Sequence, residues 1–138
     1  MREILFRGKR IDNGEWIEGI PVKTHIGTFI VFEENPHYCN QYGYMEICEL
    51  AMVDPASVGQ YTGLIANGKK IFEGDILRFG YTGKNRGVDG VAAVIFEDGE
   101  FGVKWGWHSE FVALTGFANT SIEIIGNIHD NPELLKGG

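Results

Sequence analysis

Val53-Asp54-Pro55-Ala56-Ser57-Val58-Gly59-Gln60-Tyr61-Thr62-Gly63-Leu64 stands near the middle of the chain and joins two strand-rich halves. Asp54 is a good N-cap and Pro55 a good first helical residue, so one short helical turn is predicted to begin here and to stop at Gly59. Gly63 is then expected to close a tight turn into the next segment.

Outward from that stretch the chain reads as hairpins. Toward the N-terminus, Ile4-Leu5-Phe6-Arg7 runs to Asp12-Asn13-Gly14 and returns as Glu15-Trp16-Ile17-Glu18-Gly19, the Asn-Gly pair being a strong hairpin signal. A second hairpin is predicted over 22–32, turning at Ile26-Gly27. Its strand Thr28-Phe29-Ile30-Val31-Phe32 is too apolar to alternate, so it is expected to be covered on both faces or to lie at a subunit contact. Residues 33–43 read as a loop and 44–53 as a strand.

Toward the C-terminus, Asn67-Gly68 turns into Lys69-Lys70-Ile71-Phe72-Glu73-Gly74-Asp75-Ile76-Leu77-Arg78-Phe79, with a bend at Gly74 and the Asp75 carboxylate accepting backbone N–H bonds there. The stretch 80–90 reads as a polar loop. Residues 91–96 and 101–107 form a hairpin with Asp98-Gly99 at its tip. Phe111, Leu114 and Ala118 would share one helical face, and 121–128 is a last strand before Asn131-Pro132.

Composition narrows the function classes. At 138 residues the chain suits one domain, 1–138, and a chain of this size buries roughly 68% of its extended surface. Forty-three per cent hydrophobic and 12% aromatic content exclude a disordered chain. The fold class is therefore mainly antiparallel β, a small barrel or packed sheets with one or two short helical turns. A formal charge of −7 argues against duplex DNA binding, although Arg2, Arg7, Lys9 and Arg10 crowd the N-terminus. There is no apolar run long enough to span a bilayer and no signal-like N-terminus, so a cytoplasmic location with reduced Cys39 and Cys48 is expected.

Three segments carry a resemblance. The central stretch, Asn67 to Ile76, and Ile124-Ile125-Gly126-Asn127-Ile128-His129-Asp130-Asn131-Pro132-Glu133-Leu134-Leu135 together resemble the YopX family, and Arg2 to Trp16 is similar to its N-terminal hairpin. The resemblance implies a mainly β protein encoded by a phage or prophage, acting in the cytoplasm of a bacterial host, and it brings no activity with it.

Among candidate sites, Gln60, Tyr61 and Thr62 form a polar, tightly turned binding loop, set against a reading in which Tyr61 is core and its neighbours satisfy backbone groups. Lys84 and Arg86 offer charge to a phosphate or an acidic partner. The segment Gly80 to Asn85 is not a phosphate loop, because Arg78 and Asn85 stand where Gly and Ser or Thr belong. His37, Cys39 and Cys48, with His25, His108 or His129 as a fourth donor, lack paired zinc spacing, so neither metal nor cofactor is expected. Glu97, Asp98 and Glu100 are solvated at a hairpin tip, and no serine has a nucleophile setting. Trp105 and Trp107 share an apolar stripe with Phe101, read as core or as an exposed stacking surface.

The sequence thus favours a non-enzymatic binding or assembly module, a homo-oligomer or the partner of a phage or host protein. A nucleic-acid-associated β protein using the basic N-terminal hairpin is the alternative, and an enzyme acting on a small polar substrate is a third reading.

Overall fold

Turn residues set the hairpins. Asn67-Gly68 and Asp98-Gly99 both adopt positive φ (50° and 78°, 52° and 81°), the pair of conformations that a two-residue turn matched to strand twist requires. At the first hairpin the Asn13 side chain accepts the Glu15 N–H (2.9 Å) while Gly14 takes φ 74°. The computed structural model describes residues 4–32, 49–80, 89–105, 110–117 and 121–135. Two compact units divide the chain, Met1–Gln60 and Tyr61–Gly138.

The first unit contains β1 (Phe6–Lys9), β2 (Trp16–Thr24), β3 (Gly27–Phe32), β4 (Glu49–Val53) and the start of β5 (Gly59–Ala66). They pair antiparallel in the order β4-β3-β2-β1-β5. A single bridge, Arg10 to Val53, brings the end of β4 back to β1. Two close approaches permit this curl. A Cβ on Gly8 would meet the Val53 side chain at 3.0–3.1 Å, and one on Gly19 would overlap the Val31 carbonyl. Pro21 is tolerated because β1 pairs with β2 only as far as Gly19, so its missing N–H falls on the open side of the strand.

The expected helical turn is a 3-10 turn, Pro55–Ser57, and Asp54 caps it by accepting the Ala56 N–H at 3.0 Å. Buried Ser57 then ties the turn to β1: its Oγ accepts the Lys9 N–H (2.8 Å) and donates to the Asp54 carbonyl (2.6 Å).

The second unit holds the rest of β5, then β6 (Lys69–Phe72), β7 (Asp75–Gly80), β8 (Asp89–Ala93), β9 (Ile95–Glu97), β10 (Glu100–Trp105), β11 (Glu110–Ala113) and β12 (Ser121–Asn127). β5 pairs with β6, and two three-stranded sheets run in the orders β11-β10-β9 and β12-β7-β8. Ala66, Ile71, Leu77, Phe79, Ala92, Val94, Val103 and Leu114 form the core. The sheets are open and antiparallel rather than closed into a barrel, and three 3-10 turns, the other two at Leu114–Phe117 and Pro132–Leu135, are the only helical segments among the described residues. None is long and apolar enough to cross a membrane.

Three local expectations are corrected. Gly63 (φ 88°) does not close a turn but sits in a bulge inside β5, where the register shifts between Tyr61 and Ile65. The predicted strand 91–96 is two strands in two sheets, because the Val94 backbone turns aside to exchange bonds with Gly74 and Asp75 (2.9 and 2.8 Å). Phe111 lies on a strand paired with β10, not on a helical face with Leu114.

Candidate functional site

Pairing register decides which apolar residues of the first unit are left outside. Residues directly opposite each other in adjacent strands share a face. Ile20, Val31 and Leu50 form one row across β2, β3 and β4, and Val22, Phe29 and Met52 form the next. The alternate positions Ile30 (0% exposed), Ala51 (7%) and Val53 (0%) turn inward. In the two outer rows Ile20 is 49% exposed, Val22 40%, Leu50 65% and Met52 39%, while Phe29 and Val31 are half-buried. Two rows of apolar side chains thus face outward on one sheet. A contiguous patch of this kind is comparable to the largest on an ordinary monomer, and such patches often mark a site of contact.

Continuing the same face toward β1, Arg7 lies opposite Glu18 and Lys9 opposite Trp16. The Arg7 guanidinium stacks over the Trp16 ring at 4.7 Å. Arg10 holds Asp12 in a two-pronged pair, Nε to Oδ1 at 2.9 Å and Nη2 to Oδ2 at 2.8 Å. That hydrogen bond holds the Asp12 carboxyl below the usual aspartate value. A lowered folded value means the pair stabilises the hairpin above the unfolded titration point, and the contribution is lost as pH falls through the folded one. An NMR titration should place the Asp12 midpoint below that of an unstructured aspartate and Arg10→Ala should raise it; equal midpoints in the two proteins would disprove the pairing.

The polar central stretch is occupied with its own backbone. Tyr61 is buried, its ring centroid 5.6 Å from that of Phe72 and tilted by 42°, and the Lys70 ammonium lies 5.9 Å from the ring. Thr62 Oγ1 donates to the Ile71 carbonyl (2.8 Å) and accepts the Leu64 N–H (3.1 Å), bridging the gap that the bulge opens in the ladder. Gln60 is half-buried and pairs with Phe6 through the backbone. Lys84 and Arg86 lie outside the described residues, as do His37, Cys39, Cys48, His108, Trp107 and the side chain of Trp105.

Asp75 and the C-terminal turn behave in the same way. The Asp75 carboxylate, 2% exposed, accepts the Phe72 N–H at 2.8 Å, and Gly74 takes φ 93° beneath it. Asn127 Oδ1 accepts the N–H groups of His129 and Asp130 (3.0 and 2.9 Å), while Asn131 Oδ1 lies 3.3 Å from the Asn127 N–H. A Cβ on Gly126 would stand 2.5 Å from Asn131 Oδ1, so glycine is what lets that side chain reach the backbone. Glu97 at the hairpin tip pairs with Lys104 at 3.5 Å. Among the described residues no three His, Cys, Asp or Glu side chains gather as a metal site.

A family model, described as YopX protein, matches residues 5–136. The chain belongs to the YopX family. No curated protein matches it. A solved structure, protein EF1440 from Enterococcus faecalis, is similar over 98% of this chain and 99% of its own, at 24% identity and a TM-score of 0.55, which speaks to the fold alone. Within this YopX chain, the segments that carry the resemblance coincide with the Asp54 cap, the Asp75 turn and the Asn127–Asn131 turn. Each is a device for satisfying backbone groups where strands change direction.

The apolar run Thr28 to Phe32 was expected to be covered on both faces or to lie at a subunit contact, but nothing marked Ile20, Val22, Leu50 and Met52. In β2 other residues interrupt the apolar ones, and in β4 Leu50-Ala51-Met52-Val53 is apolar throughout, so neither strand by itself marks an outer face; only the cross-strand register shows that the outward set is apolar on three neighbouring strands.

Proposed function

We propose that this YopX-family chain is a non-enzymatic binding or assembly module that docks a protein surface on the outward face of β2, β3 and β4. The observation that supports it is the pair of apolar rows Ile20-Val31-Leu50 and Val22-Phe29-Met52, of which four side chains are 39–65% exposed. Burying such rows releases about 25 cal/mol per Å² of apolar surface, enough to drive association without any charged anchor. The engagement of Asp54, Thr62, Asp75, Asn127 and Asn131 with local backbone groups points the same way, since it gives the family segments a folding role. The YopX resemblance adds a phage or prophage origin and a place in the cytoplasm of the host to the proposal.

Basic residues of the N-terminal hairpin support the nucleic-acid alternative less well, because Arg10 is committed to Asp12 and Arg7 to Trp16. Affinity capture with tagged protein from host cells, read by mass spectrometry and by absorbance of bound nucleic acid, separates the readings. A stoichiometric protein captured by the native chain and lost with Leu50→Glu supports the module. Nucleic acid released by salt, and lost when Arg7, Lys9 and Arg10 are neutralised, would replace it with the alternative.

A further inference from the structure

We infer that the occupant of this face is a second copy of the same chain, packed two-fold, sheet against sheet. The inference rests on the binding-module reading and names its partner. Size is the first argument. A stable interface covers about 800 Å² on each partner, somewhat more than half of it apolar. Beside the two rows lie Ile11 (59% exposed), whose N–H bonds the Met52 carbonyl, and Ile26 (68%), in the turn between β2 and β3. With these margins the face presents apolar surface on the order of 500 Å², the apolar share of one such footprint.

Shape is the second. Two adjacent rows of apolar side chains across β2, β3 and β4 leave ridges and a groove between them, and a surface that interdigitates with them is another such pair of rows. This chain carries that pair itself, and a two-fold axis needs only one patch that complements its own image.

Charge is the third. The chain bears −7, so two copies repel at long range, yet neither row contains a charged residue. At the edge toward β1 the signs are mixed, Arg7 directly opposite Glu18. A partner chosen by charge would call for one sign at that edge, whereas an edge of both signs can meet its own copy without like-charge contact.

Sedimentation velocity and light scattering of the full chain test this. At about 50 µM, above the micromolar dissociation constants that mark the weak end of standard interfaces, the native chain should run at twice its 15.4 kDa mass. Leu50→Glu and Ile20→Glu, each at an exposed position, should weaken the dimer by about 30-fold or more with an unchanged far-UV spectrum. Ile65→Glu, equally exposed (61%) but in the second unit, should leave it intact. A native chain that runs as a monomer overturns the inference, and so does a dimer indifferent to both face variants. If the native chain is a monomer yet captures a different protein in a Leu50-dependent way, self-pairing fails and the module reading stands. A monomer that captures nothing removes both.

Discussion

Asp75→Ala should lower the unfolding free energy by about 2–3 kcal/mol, the loss expected when a buried hydrogen bond goes and its donor is left without an acceptor. The carboxylate is 2% exposed and holds the Phe72 N–H at 2.8 Å. Around the same turn, Gly74 N–H donates to the Val94 carbonyl, Val94 N–H to the Asp75 carbonyl, and Ile128 N–H to the Gly74 carbonyl. One turn therefore fixes the starts of β7 and β9 and the segment that follows β12, and its loss loosens the second unit at three places. Asp75→Asn keeps an acceptor in place and should recover about half of the deficit. Urea denaturation reads both variants; a change under about 0.5 kcal/mol for Asp75→Ala would show that the carboxylate is a bystander.

Gly19→Ala should be as damaging, by about 3 kcal/mol, for a steric reason. Its φ is not in the left-handed region, so no backbone strain is involved; the added Cβ would overlap the Val31 carbonyl oxygen and stand 2.9 Å from the Ile30 methyl. Backbone atoms cannot rotate away, so β2 must part from β3. The same logic applies to Gly102, where a Cβ would meet the Val112 carbonyl and the Phe111 ring. Thermal unfolding monitored by tryptophan fluorescence and far-UV dichroism tests it, and a Gly19→Ala protein melting with the native one would mean that β2 and β3 are farther apart than described.

What the sequence disclosed and what it hid follow from the range of the interactions. Asn67-Gly68, Asp98-Gly99 and the Asp54-Pro55 cap act on residues within a few positions, so their chemistry is readable from the residues themselves, and each stands where it was expected. Val94 is different: nothing near it marks a break, because what pulls its backbone out of the strand is Gly74 and Asp75, some twenty residues earlier. Ser57 finds Lys9 across 48 residues, and no local pattern announces such a bond.

Parity hid the candidate site in the same way. Alternation in β4 shows that Leu50 and Met52 share a face, but whether Ile20 and Phe29 join them depends on two pairings set by the whole unit. The expectation that Thr28 to Phe32 would be covered on both faces or lie at a subunit contact came from composition alone. It touched the site without outlining it, and the family segments drew attention instead to Gln60, Tyr61 and Thr62, where Tyr61 lies in the core and Thr62 mends a bulge.

The central claim, that a protein surface docks on the β2-β3-β4 face, is tested most directly by the rate at which Met52 is oxidised. Its side chain stands in the outer row beside Phe29 and is 39% exposed, within reach of dilute peroxide. Peptide mass spectrometry of the chain below and above its association concentration, or with its captured partner, gives that rate with the native fold intact. The account predicts that Met52 oxidation slows several-fold on association and regains its dilute rate in Leu50→Glu; a rate that stays the same while the chain is demonstrably assembled would place the interface elsewhere.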